Sequence, residues 1–192
     1  MRRIPLIPTL IVLAAVAVML RLGFWQLDRL HQKEAMLAQY RAALADPALR
    51  PLDGSGRPPP YSRVTLTCHD VLEQTAKSGR NARGEAGWAQ VARCTVAGNV
   101  WEYVVLGWSA TPATPKWSGG PVTGIALVRG DHYEVVADPP LAGLAANARP
   151  DPADLPNNHL SYAVQGFLFA ATALVIYVLA LRKRLAAKGE QG

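Results

Sequence analysis

The stretch that decides the fold is LSYAVQGFLFAATALVIYVLAL, Leu160 to Leu181, with Arg182-Lys183-Arg184 directly behind it. The whole run carries no charge. At about 1.5 Å of rise per residue, a helix of that length crosses a hydrocarbon core of about 30 Å. Near the other end of the chain, IPLIPTLIVLAAVAVML runs uncharged from Ile4 to Leu20. Arg21 interrupts it and LGFWQL carries on to Leu27. Arg21 falls near the far end of that span, where a long side chain snorkels to the headgroups. Two membrane-crossing helices are therefore predicted, over residues 4–27 and 160–181.

The charge distribution sets their direction. The chain has 192 residues, half of them apolar, a mean hydropathy of +0.08 and a net charge of +6. That composition excludes a disordered chain. The two cysteines are too few for a disulfide-rich scaffold or a four-thiolate zinc site. Residues 28–159 hold 13 basic and 13 acidic residues, so the middle is neutral. The excess lies at Arg2, Arg3 and Arg21, and at Arg182, Lys183, Arg184 and Lys188 less Glu190. A nucleic-acid-binding domain carries its charge on a folded face, so no nucleic-acid partner is expected. Basic residues outside both spans place both termini in the cytoplasm and the middle on the far side of the bilayer. In a bacterium that side is the periplasm and the membrane is the inner (cell) membrane; in a mitochondrion it is the intermembrane space. Trp25 and Tyr162 stand at the two non-cytoplasmic ends, where interface aromatics collect. Ala15-Val16-Ala17 resembles a signal-peptide cleavage site, but the apolar run continues past it, which favours an uncleaved anchor.

Between the spans, Leu30, Leu37 and Leu44 recur at heptad spacing in QLDRLHQKEAMLAQYRAALADP. This predicts an amphipathic helix over residues 28–46 that continues out of the membrane and stops at Asp46-Pro47. Its leucine stripe suits packing on an extramembrane domain better than a coiled coil, for which three heptads are few. Residues 47–60 form a Pro/Gly-rich connector, Tyr61–His69 alternates as a strand, and Gly79–Gly87 reads as a loop. Gly98-Asn99 predicts a two-residue hairpin turn joining strands 88–97 and 100–109. Pairing 97 with 100 sets Val91 opposite Leu106, Val96 opposite Trp101 and Cys94 opposite Tyr103. Gly130-Asp131 predicts a second hairpin between 124–129 and 132–137. Residues 138–158 read as an extended return to the bilayer. The predicted class is an α+β membrane protein: two transmembrane helices flanking a mainly antiparallel β extramembrane domain of five or six strands over 47–158, with a basic cytoplasmic tail over 182–192.

Phosphate-binding and hydrolase motifs are absent, and no nucleophile–base pair stands at a recognisable spacing, so no catalytic residue is assigned. Cys68 and Cys94 form either a cross-strand disulfide in an oxidising compartment or two separate thiols. The two membrane exits carry the remaining signals. Trp25, Arg29 and Lys33 are spaced by four, which puts them on one helix face. Such a stripe holds an anionic lipid, a propionate or a partner's carboxylate, or is an ordinary interface belt. At the second exit, Asn158 suits the N-cap of the last helix and His159 its first turn. A neutral imidazole there either ligates a haem iron or simply packs against Trp25 or bonds the cap. Ala163, Gly166 and Ala170 form a small-residue face that lets the first span or another protein's helix come close. Gln165, strongly polar inside the span, is expected to hydrogen-bond across that contact.

These two segments together resemble the surfeit locus protein family of cytochrome c oxidase assembly factors. Gly23, Trp25, Gln26, Arg29 and Lys33 match its first signature, roughly G-x-W-Q-x-x-R-x-x-x-K. Asn157, His159, Leu160, Tyr162, Ala163 and Phe167 match its second, roughly N-x-H-L-x-Y-A-x-x-W-F, with Gly166 where tryptophan is usual. Val104-Val105-Leu106-Gly107-Trp108 matches a middle strand motif but lacks its Asn-Arg. The resemblance implies a protein that assists biogenesis of haem-copper terminal oxidases, delivering or stabilising haem a at subunit I, and working with other oxidase assembly factors. It implies His159 as axial contact to the haem iron, Tyr162 and Trp25 as walls, and Arg29 and Lys33 as partners of the propionates. The competing reading is a membrane-anchored scaffold that binds oxidase subunits without touching haem. A periplasmic enzyme and a two-cysteine copper carrier are further rivals. The carrier would need a spacing such as C-x-x-x-C, and Cys68 and Cys94 lie much further apart in the sequence.

Overall fold

The structure, a computed structural model, describes residues 5–187. The terminal charges Arg2, Arg3, Lys188 and Glu190, and so part of the basic tail, lie outside the described residues. The chain divides into two units, Met1–Met36 with Pro156–Gly192, and Leu37–Leu155.

The first unit is a pair of helices. α1 runs unbroken through Leu6–Ala45, so its last turns belong to the second unit, and α2 spans His159–Ala187. Among the described residues these two are long and apolar enough to cross a membrane, and very little of either apolar window is buried inside the protein. Leu6, Ile7, Leu10 and Ile11 on α1, and Leu168, Phe169, Val175 and Ile176 on α2, are more than half exposed. Exposure of so many large apolar side chains on two long helices marks a membrane protein, because water would not tolerate such a surface. The helices run antiparallel. Thr9 near the start of α1 hydrogen-bonds Tyr177 in the second half of α2, and Gln26 bonds His159 at its start.

Small residues set how close the two helices come. Val16 and Gly23 of α1 and Ala163 and Ala170 of α2 are buried. A Cβ on Gly166 would lie 3.4 Å from the Met19 carbonyl oxygen and 3.6 Å from Gly23 Cα. Helices in lipid associate by packing rather than by hydrophobic drive, so this close backbone approach supplies the contact. The small-residue face of α2 thus takes α1. Gln165 does not hydrogen-bond across that contact. It is exposed on α2, and its Nε2 reaches Ser161 Oγ within the same helix at 3.5 Å. At about 100° per residue it lies well round the helix from Gly166 and Ala163.

The second unit is a seven-stranded mixed sheet in the order β1-β2-β6-β7-β5-β4-β3. The strands are β1 (Arg50–Pro51), β2 (Arg63–Cys68), β3 (Asp70–Arg80), β4 (Ala86–Ala97), β5 (Val100–Ser109), β6 (Gly120–Arg129) and β7 (His132–Ala137). Four pairings are antiparallel; β1 with β2 and β5 with β7 are parallel. The Gly130-Asp131 hairpin forms as expected, with Arg129 opposite His132. The Gly98-Asn99 hairpin also forms, with Ala97 opposite Val100, but its register departs from the expected one. A bulge at Val96 sets Cys94 opposite Glu102 and Val91 opposite Val105. The physical reason is the side-chain parity of a strand. The slip brings Ala92 and Cys94 onto the same face as Val104 and Leu106, and all four are almost completely buried in one core.

β3 is a whole strand where sequence suggested only the loop that follows. It is the sheet edge, none of its residues is fully buried, and an irregularity between Val71 and Glu73 interrupts its alternation, so it gives no clear period to read. Residues 81–85 alone form that loop, since Gly79 and Gly87 are inside strands. β2 and β4 are not neighbours in the sheet, yet Cys68 and Cys94 are joined by a disulfide with Cα atoms 5.1 Å apart. The His69 N–H also donates to the Thr95 carbonyl at 2.9 Å. The sheet therefore curls until its two sides meet, a partly closed barrel around Val64, Leu66, Val122, Val104, Leu106 and Val135. The end of α1 joins this unit: Leu37 is buried, and Tyr40 stacks on Tyr61 with ring centroids 5.1 Å apart.

Candidate functional site

The two segments that carry the signatures meet inside the first unit. Gly23 lies against the ring of Phe167, which also packs edge-on against Phe24 with centroids 5.3 Å apart. One turn further along α1, Gln26 comes level with the first residue of α2. His159 Nδ1 and Gln26 Oε1 stand 2.8 Å apart, and both residues are half-buried. Asn158 sits at the cap position: its carbonyl accepts the first helical bond of α2, from the Tyr162 N–H at 3.2 Å.

Trp25 and Arg29 form a second group. The Arg29 guanidinium lies 5.6 Å from the centre of the Trp25 ring and donates to Gln32 Oε1 at 2.9 Å. Trp25 is about half exposed and walls a shallow hollow of about 550 Å³ with Arg21, Leu22, Phe24 and Asp28. Successive residues are about 100° apart on a helix, so Trp25 and Gln26 point to different sides. Lys33, two turns beyond Gln26, returns to within about 20° of it and about 10 Å along the axis. Arg29 falls between the two directions. The i, i+4 stripe thus drifts from the Trp25 face toward the Gln26–His159 face.

Tyr162 is more than half exposed, and among the described residues no hydrogen bond or aromatic contact ties it to Trp25 or His159. The structure therefore brings His159 to Gln26 and Arg29 to Trp25, and leaves Tyr162 and Lys33 apart from both pairs. Gln26 is the residue that spacing arguments passed over. It was visible only as one letter of the first signature, and which helix faces would meet was not written in either helix alone.

The model of the SURF1 family matches residues 13–171 of the chain. That interval contains both exit segments and the whole sheet. The chain belongs to the SURF1 family. This is a family of cytochrome oxidase assembly factors, not a catalytic one. No curated protein matches the chain. As a SURF1 member it has its two signature segments, far apart in sequence, in direct contact through Gln26 and His159.

The remaining polar clusters lie in the second unit. Glu102 is buried at 6 % exposure and accepts a hydrogen bond from the Tyr133 N–H. Burial pushes its carboxyl pKa up, against the Tyr133 bond and the nearby His132 and Arg57 charges. His132 stacks on Trp101 with centroids 3.6 Å apart. Cys68 and Cys94 are consumed by their disulfide, so neither is a thiolate ligand.

Proposed function

We propose that this SURF1 protein assists assembly of a haem-copper terminal oxidase by holding haem a at the outer rim of the bilayer for subunit I. The observation that carries the reading is the His159–Gln26 contact at the joined membrane exits. The residues fit the group. One imidazole nitrogen is engaged and the other is left for a metal. Arg29 and Lys33, on neighbouring sides of α1, supply two cations for two propionates. Trp25 and Tyr162, both half exposed, offer ring faces on either helix. Haem a, when bound, supplies the iron centre and carboxylates that these side chains recognise. The protein's own part is to bind and orient the group and to give it up to the oxidase.

The same reading sets the topology. An antiparallel pair with Arg182-Lys183-Arg184 beside the N-terminal end of α1 has both termini in the cytoplasm and residues 47–158 in the periplasm of a bacterial inner membrane. In that arrangement the amphipathic part of α1 leads from the bilayer into the β domain, and the exit site faces the compartment where a disulfide persists.

The test is His159→Ala in cells that make haem a, with two readouts: haem co-purified with the protein and activity of the terminal oxidase. Loss of both supports the reading. A protein that lacks a Soret band yet still supports oxidase assembly is instead a scaffold for oxidase subunits.

A further inference from the structure

An amide oxygen offers lone pairs and no hydrogen, so an imidazole nitrogen 2.8 Å from Gln26 Oε1 carries the proton. In a neutral imidazole the second nitrogen is then the lone-pair site. We propose that Gln26 is a positioning residue that holds His159 as its Nδ1–H tautomer and so keeps Nε2 free to bind a metal. The tautomer stands on the geometry alone; that the metal is a haem iron rests on the proposed function.

Three features of the contact support this role for Gln26. First, the two amide orientations have opposite consequences. With the oxygen toward the ring, Nδ1 is the donor and Nε2 is a ligand atom. With the amide nitrogen toward the ring, Nδ1 must accept, the proton moves to Nε2, and that nitrogen cannot ligate. The structure has the oxygen facing the ring. Second, the bond runs between helices, from α1 to the first residue of α2. It lies one turn from the close backbone approach at Gly23 and Gly166, which couples packing of the helix pair to the state of the imidazole. Third, both partners are half-buried, which limits competition from water for the Nδ1 proton. Metal-binding histidines are commonly oriented this way, by an acceptor on the nitrogen opposite the metal, and loss of that acceptor weakens metal binding by about 10- to 100-fold.

The experiment uses the full chain in detergent micelles, labelled with ¹⁵N-histidine, without haem and at mildly alkaline pH. Long-range ¹H–¹⁵N correlations report which ring nitrogen is protonated. The wild type is expected to show protonated Nδ1 and bare Nε2. Gln26→Leu, which removes the acceptor but keeps a good helix former of similar size, is expected to move the population to Nε2–H. Gln26→Glu keeps an acceptor and is expected to keep the wild-type pattern, which also controls for misfolding of the leucine variant. A wild type protonated at Nε2, or a Gln26→Leu pattern identical to wild type, overturns the proposal.

Ferric protoporphyrin IX, titrated into the same three proteins and His159→Ala, supplies the second arm. Gln26→Leu is expected to bind about 10- to 100-fold more weakly than wild type and Gln26→Glu to recover. If the tautomer follows Gln26 but His159→Ala binds the porphyrin as tightly as wild type, the role of Gln26 stands and the haem reading fails.

Discussion

Gly23 of α1 lies so close to Phe167 of α2 that a Cβ built on the glycine would stand 2.6 Å from the ring. No real Cβ contact is that short, so any side chain at position 23 moves the phenylalanine or parts the helices. This ties the first signature glycine to the second signature aromatic. It also gives the reason for a glycine in a helix interior, where it otherwise costs about 1 kcal/mol against alanine.

Gly23→Leu should therefore destabilise the helix pair by about 1–3 kcal/mol, the usual cost of overpacking. Parting the helices there should also break the Gln26–His159 bond one turn away. Phe167→Ala alone should cost packing, but combined with Gly23→Leu it should restore part of the loss. Unfolding of the full chain in mixed micelles measures all three. Strictly additive effects would mean that the two positions do not share one contact.

The disulfide lends itself to a direct measurement. Cys68 and Cys94 have a sequence separation of 26. Closing a loop of that length removes denatured-state entropy worth about 3.5 kcal/mol. The Cys68→Ala, Cys94→Ala double variant should lose about that much, and the oxidised wild type should run faster than the reduced form on a non-reducing gel. Equal mobility with and without reductant would show that the bond is not formed in the cell.

Glu102 predicts a pH response. Burial raises its carboxyl pKa in the folded state, so the folded protein holds this proton more tightly than the unfolded chain. Its stabilising contribution is complete below the unfolded glutamate pKa and is lost as pH rises through the folded one. Glu102→Gln keeps an acceptor for the Tyr133 N–H and removes the buried charge. The variant should match or exceed wild type at neutral pH and lose the decline above about pH 4.3, the ordinary glutamate value. Thermal unfolding of both proteins across that range checks the sign; a wild type that gains stability relative to the variant as pH rises contradicts it.

How much of this could be read in advance depends on whether the signal is local. The two long apolar helices were legible because absence of charge from Ile4 to Leu20, and again from Leu160 to Leu181, has few other causes. The two hairpins were legible because Gly98-Asn99 and Gly130-Asp131 dictate their turns. β3 was not, because an exposed edge strand such as Asp70–Arg80 buries neither face fully and leaves no period. The bulge at Val96 was not, because the turn fixes only the first pair and the rest of the register is chosen by which residues the core needs. Curling of the sheet was beyond reach for the same reason, although it is what brings Cys68 to Cys94. In the helix pair, each of the two signature segments was visible as a motif. Their junction through Gln26 depends on helix faces selected by Gly23, Gly166 and Phe167 packing together.

The core shared by β4 and β5, and the open edge at β3, can be tested with one pair of substitutions. Leu106 is among the largest fully buried side chains, at 1 % exposure, and shares its cluster with Ala92, Cys94 and Val104. Leu106→Ala removes buried methyl groups and leaves a cavity that a closed sheet cannot collapse, so it should cost about 3 kcal/mol or more. Leu72, on the edge strand β3, is half exposed. The same change there should stay within about 0.5 kcal/mol. Chemical unfolding of the two variants in parallel reads the difference. Comparable losses at both positions would mean that β3 packs into the core rather than forming its open edge.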